Sequence, residues 1–192
     1  MPVAFFLLYN IQEHKMKEKS IWTIGHSTRQ LEELIALLHS FSILRVVDIR
    51  NYPGSKRFPH FNKEALEISL PKNNIAYTHL KELGGRRKPI PGSINTAWKN
   101  EAFRGYADYM QTKDFKKGIE RLEIFASQNP TAFMCSEGVW WSCHRSLVSD
   151  YLKIRGWKVW HIMAIGKASE HPYTKPAKVI EGQLFYNEPG LF

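Results

Sequence analysis

Five short apolar runs, at residues 21–24, 44–49, 75–80, 131–135 and 158–163, alternate along the chain with stretches whose apolar residues recur at helical spacing. No other feature limits the fold so tightly. A run this short and mostly apolar buries as a strand, and a helix between successive strands forces a crossover that makes them parallel. The prediction is a single three-layer α/β domain over residues 21–192, with a mostly parallel sheet of about five strands covered by helices on both faces.

The stretch after the first run sets Leu31, Leu34, Ile35 and Leu38 on one helical face, with Ser27 predicted as N-cap and Gln30 as its capping-box partner. A second helix is expected from Asn62, ending or kinking at Pro71. Others are expected over residues 103–110, 116–126 and 144–155, the last stopped by Gly156. Residues 86–100, rich in Pro, Gly, Asn and Lys, read as a long surface loop, a type that in compact domains tends to carry function. Residues 1–20 read as an N-terminal extension. Their apolar part, residues 3–9, has no basic stretch before it and no small-residue cleavage site after it, and is too short to span a bilayer.

Charge narrows the partners. Lys and Arg number 27 against 18 Asp and Glu, a formal net charge of +9 on 192 residues. Such an excess favours an anionic partner, nucleic acid first and DNA ahead of RNA, over a membrane. A basic surface with no such partner is the alternative. Two cysteines are too few for a disulfide framework in a chain this long, so a reducing cytoplasm is the expected location.

The densest chemistry lies at residues 134–146, Met-Cys-Ser-Glu-Gly-Val-Trp-Trp-Ser-Cys-His-Arg-Ser, between the fourth apolar run and the helix after it. In parallel sheets ligands sit beyond the carboxyl ends of the strands. Those ends here offer His26 and Ser27, Asp48 and Arg50, His79 and Glu82, Cys135 and Glu137, and His161. Reactive groups at five strand ends argue for an enzyme.

The sequence also resembles a known family. Thr23-Ile24-Gly25-His26-Ser27, Val47-Asp48-Ile49-Arg50 with Pro53 and Ser55, Leu83-Gly84-Gly85, residues 103–110 (Phe-Arg-Gly-Tyr-Ala-Asp-Tyr-Met), and Cys135-Ser136-Glu137 followed by Cys143-His144-Arg145-Ser146 are similar to the motifs of domain of unknown function 488, in the same order. The resemblance spans about residues 21–162 and implies a Rossmann-like α/β domain, without implying an activity. Where this family is expected to carry a smaller, Pro-containing loop before Cys143, this chain has Val139-Trp140-Trp141.

From the residues themselves, Asp48 and Glu137 are candidate catalytic carboxylates assisted by His26, able to orient water or stabilise a sugar cation; salt bridges to Arg50, Arg104 or Arg145 are the structural alternative. Trp140 and Trp141 sit in a polar loop and suit stacking on a base, although one of them can equally pack beneath the loop. Ser27, Arg104, Cys135 and His144 complete the candidate substrate contacts, and Arg50, Arg57, Arg86, Arg87 and Arg145 the candidate phosphate contacts. Cys135, at a strand end facing a helix N-terminus, is a candidate nucleophile in the manner of rhodaneses and cysteine phosphatases, but its loop to Arg145 is longer than theirs and not Gly-rich. Cys135, Cys143 and His144 lack the Cys-x-x-Cys spacing of structural zinc and no Gly-rich dinucleotide motif follows the first strand, so neither metal nor cofactor is assigned. The leading expectation is a DNA glycosylase-like hydrolase that cleaves the N-glycosidic bond of a flipped base. The alternatives are a Cys135-dependent sulfur- or phosphate-transfer enzyme and a nucleic-acid-binding module without catalysis.

Overall fold

The structure, a computed structural model, describes residues 18–188. The apolar stretch at residues 3–9 and most of the expected N-terminal extension lie outside the described residues. All five predicted strands are present: β1 (Ser20–Gly25), β2 (Arg45–Asp48), β3 (Ala76–His79), β4 (Thr131–Cys135) and β5 (Lys158–Ala164). They form one parallel sheet with the order β3-β2-β4-β1-β5. A sixth strand, β6 (Lys167–Glu170), turns back antiparallel onto β5 and completes a sheet of 6 strands. It is short and mostly exposed, so it carries little of the apolar signal on which a sequence reading depends.

Side-chain alternation along the strands divides the core. Ile21, Val47 and Phe133 face one side, where they meet Tyr106 of α3 (Glu101–Tyr109), Ile119 and Leu122 of α4 (Lys113–Gln128) and Leu147 of α5 (Arg145–Ile154). Ile24, Val46 and Met134 face the other, against Leu34 and Leu38 of α1 (Leu31–His39) and Leu66 of α2 (Lys63–Ser69). Helices cover both faces, and the three-layer α/β architecture follows. All five residues of β4 are buried, as a strand enclosed on both faces and both edges requires.

The chain leaving β1 crosses to the α1–α2 face, whereas the chain leaving adjacent β4 enters α5 on the opposite face. Two neighbouring strands whose connections diverge leave a crevice at their carboxyl ends. The site lies there.

Two local expectations need revision. Ser27 does not cap α1. It sits at φ 53 in the turn after β1, its N–H donating to the Ser136 carbonyl at 2.9 Å, and Gln30 takes the N-cap position without a side-chain cap bond. Residues 86–100 do form a loop without helix or strand, but a pinned one. The Asp108 carboxylate accepts hydrogen bonds from the Ile90 backbone N–H (3.0 Å), the Ser93 hydroxyl (2.6 Å) and the Asn95 amide (2.7 Å). Residues 178–185 add a separate hairpin, β7 (Lys178–Ile180) and β8 (Gln183–Phe185), whose turn residues Glu181 and Gly182 both take positive φ, as a two-residue hairpin loop demands.

Candidate active site

A pocket of about 600 Å³ opens at the carboxyl ends of β1, β2 and β4, within the size range of small-ligand sites. His26, Ser27 and Thr28 line it after β1, Arg50 to Tyr52 after β2, and Cys135 to Gly138 after β4. Ser142 to His144, Gly85, Arg86 and Phe103 close it.

The pocket wall is built on a buried ionic chain. Asp48, fully buried at the end of β2, takes the Arg50 guanidinium in a bidentate grip, Nε at 2.9 Å from Oδ1 and Nη2 at 2.5 Å from Oδ2. The Arg50 backbone N–H (3.0 Å) and the Tyr77 hydroxyl (2.7 Å) also donate to this carboxylate. Arg50 Nη2 donates a second bond to the Phe61 carbonyl at 2.8 Å, and Nη1 one to His26 Nε2 at 3.2 Å. Of the guanidinium's five protons, one on Nη1 is thus left for water or a ligand. The His26 ring donates through Nδ1 to the Ser27 carbonyl at 3.0 Å, so its Nε2 is the acceptor for Arg50. Burial, together with the Arg50 charge, lowers the His26 pKa to about 4. His26 is therefore neutral near pH 7 with its lone pair engaged, and Asp48 has no oxygen turned to the pocket. Asp48 and His26 thus both hold Arg50, and of the two only His26 lines the pocket.

Glu137 does line the pocket, with an exposed side chain. Its backbone is clamped: Arg145, 1% exposed, donates from Nη2 to the Glu137 carbonyl at 2.5 Å and from Nη1 to Thr23 Oγ1 at 3.0 Å. Arg145 is a strut of the β4–α5 loop, too buried to meet a phosphate backbone. Gly25 makes the crossing possible, since a Cβ there would stand 1.8 Å from the Glu137 carbonyl oxygen.

Beneath Glu137 lie two thiols and an imidazole. His144 Nδ1 is 3.6 Å from Cys143 Sγ and 4.0 Å from Cys135 Sγ, while its Nε2 lies 3.1 Å from the Ile49 carbonyl oxygen. A carbonyl only accepts, so Nε2 carries a proton and Nδ1 is the nitrogen turned to the sulfurs. The hydrogen bond with Cys143 and burial push the Cys135 thiol up. Burial also acts to raise Cys143, but the Cys135 hydrogen bond and the Arg145 charge outweigh it and bring Cys143 down.

Other predicted contacts fall elsewhere. Trp140 stacks face to face on His161, ring centroids 4.2 Å apart, and meets Trp141 edge-on, while Trp141 is 54% exposed; neither lines the pocket. The aromatic lining comes instead from Tyr52, Phe58 and Phe103. Arg104 sits one residue past Phe103 and bonds the Trp98 carbonyl at 3.0 Å. Arg87 bonds the Gly84 carbonyl and stacks on Tyr109, and Arg57 lies exposed over Phe58. Arg86 is the predicted arginine that reaches the pocket alongside Arg50. Cys143 also lines the pocket; its spacing of eight residues from Cys135 gives no sign of pairing until the loop between them folds back.

A comparison with protein families matches residues 30–152, more than half of the chain, to Domain of unknown function DUF488. The chain belongs to this family. No curated protein and no solved structure matches it. The matched segment of this DUF488 protein contains β2 to β4 with Asp48, Arg50, Glu137, both cysteines and His144, so the pocket's chemistry lies almost wholly within the family region. Among the described residues no helix is long and apolar enough to cross a membrane.

Proposed function

We propose that this protein is a hydrolase acting on nucleic acid, which accepts one extruded nucleotide in the pocket and cleaves its N-glycosidic bond with Glu137 as the working carboxylate. The pocket's lining carries this reading. Tyr52, Phe58 and Phe103 supply planar apolar surface, Arg86 and the free Arg50 proton supply cationic donors, and Glu137 supplies a carboxylate, on a chain of net charge +9. Aromatic stacking contributes about 1–3 kcal/mol per base and tolerates any base, which suits a site that must hold an unstacked nucleotide. In the reaction Glu137 takes one proton from a water whose oxygen bonds to C1′. The C1′–N bond breaks, its electron pair stays on the base nitrogen, and Glu137 returns the proton to that nitrogen.

A second reading, thiol-dependent sulfur or phosphate transfer, is favoured by one observation: Cys135 and Cys143 line the same pocket beside His144. One experiment separates the two. Oligonucleotides bearing natural and modified bases are incubated with the protein, treated with alkali and resolved on a gel. Under the hydrolase reading strands break at abasic sites, and Glu137→Gln retains binding but loses at least about 100-fold in rate, the usual worth of a general acid–base. If no abasic site forms and a substrate-derived adduct appears on Cys135 or Cys143 in the intact-protein mass, the hydrolase reading is wrong.

A further inference from the structure

The floor of the pocket has the geometry of a metal centre. Cys135, Cys143 and His144 present Sγ, Sγ and Nδ1 within 4.8 Å of one another. For tetrahedral zinc with Zn–S of about 2.3 Å and Zn–N of about 2.0–2.1 Å, adjacent donors must stand about 3.6 Å apart for S···N and about 3.8 Å for S···S. The observed S···N separations are 3.6 and 4.0 Å. The S···S separation is no more than 4.8 Å, so cysteine side-chain rotation by at most about 1 Å brings the three donors to these spacings.

Two further features support a ligand role. A metal-bound histidine donates its other N–H to a carboxylate or backbone carbonyl, which fixes the ring and its tautomer. His144 does this with the Ile49 carbonyl at 3.1 Å, which leaves Nδ1 as the ring nitrogen turned to the thiols. The space beside that nitrogen is kept clear by Gly85, where a Cβ would stand 2.7 Å from Nδ1.

We propose that Cys135, Cys143 and His144 bind one soft or borderline divalent cation, zinc foremost, with the fourth position open to the pocket. Two thiolates neutralise the dication, and a Cys₂His set with one open position is a donor arrangement that catalytic zinc adopts. The binding does not depend on the hydrolase reading. Where that reading holds, a metal held there would supply Lewis-acid activation of water in the pocket that Glu137 also lines.

The test uses the full chain, stripped with a chelator and titrated with Co²⁺ as a coloured substitute. The expected result is one cobalt per chain, with sulfur-to-metal charge-transfer absorption and the intense visible bands of a tetrahedral site. Cys143→Ser and His144→Gln should each weaken binding more than about 100-fold, beyond the 10–100-fold typical of outer-shell partners. Gly85→Ala, which keeps all three donors, should also weaken it, with both thiols still countable by a thiol reagent. Because a variant can fail to fold, the unmutated protein supplies a second measurement: Zn²⁺ should slow alkylation of Cys135 and Cys143 by at least about tenfold, since a coordinated thiolate is a poor nucleophile. Cobalt spectra without charge-transfer absorption, or thiols alkylated equally fast with and without Zn²⁺, would overturn the proposal. So would recovery of a Cys135–Cys143 disulfide that Zn²⁺ does not prevent. Each of these readouts is independent of base excision, so either idea can fail alone.

Discussion

At the scale of single residues, the decisive fact is where each carboxylate points. Asp48 and Glu137 are alike in sequence, each following an apolar strand, and salt bridging was the natural alternative for both. The fold separates them. Asp48 is sealed behind Arg50 and Tyr77, while Glu137 gives its backbone carbonyl to Arg145, has an exposed side chain and lines the pocket. Asp48→Asn should therefore act on stability, because it strands the Arg50 charge, only 6% exposed, without its counter-ion. A loss of about 3–5 kcal/mol is the usual cost of breaking a buried pair by removing one partner. Denaturant midpoints measure it, and an unchanged midpoint together with lost turnover would restore Asp48 to a direct catalytic role. Sequence made the Asp48–Arg50 pairing thinkable, but burial alone decides between positioning and chemistry, and burial depends on Phe61 and Tyr77, which come from other segments.

At the scale of elements, the β4–α5 loop is the piece that organises the site. It crosses β1 at Gly25, so Gly25→Ala should displace it; overpacking of this kind costs about 1–3 kcal/mol, and thermal melting with a count of reactive thiols would show both the cost and the opened site. The strands were legible because short, mostly apolar runs between helical patterns leave few alternatives. The loop was not, because its path depends on Arg145 reaching Thr23 and on Trp140 finding His161 on β5, contacts that no local pattern encodes.

That second contact has a pH signature. His161 is 1% exposed, packed under Trp140, hydrogen-bonded to His171 at 2.9 Å and close to the Arg145 charge, and Asp150 of α5 holds the far side of His171 at 3.0 Å. Burial, then the His171 and Arg145 charges, push the His161 pKa far below its usual 6.5. Below pH 6.5 the unfolded chain takes up a proton that the folded chain refuses, so stability falls with pH from 6.5 downward, by up to about 1.4 kcal/mol per pH unit. His161→Phe should flatten the part of the stability–pH curve below about pH 6.5 relative to the unmutated chain. An identical slope in the variant would show that other groups set it.

At the scale of the whole molecule, charge and pocket are separate resources. Most predicted cationic contacts lie outside the pocket, with Arg57 exposed near its edge and Arg87 tied to Gly84 and Tyr109. On a strand that feeds one nucleotide inward, Arg86 and Arg57 should each contribute about one neutralised phosphate. Replacing either with Ala should lower the slope of log affinity against log salt by about 0.7–0.9, whatever the base sequence. A slope that stays put in both variants, measured by fluorescence anisotropy across salt concentrations, would remove nucleic acid from the list of partners for this face.

The sheet order also constrains how the molecule comes into being. Among the described residues the first strand is an inner one: Trp22 of β1 lies between Ala132 of β4 and Trp160 of β5. Neither neighbour exists until most of the polypeptide has been synthesised, and closing such large loops is the slow, entropically costly part of folding. During synthesis β1 must therefore wait, unpaired, for strands that come much later in the chain. His26 cannot be seated before Cys135 arrives to accept its backbone N–H. Nascent chains stopped short of residue 135 should offer β1 to chaperones rather than to a sheet.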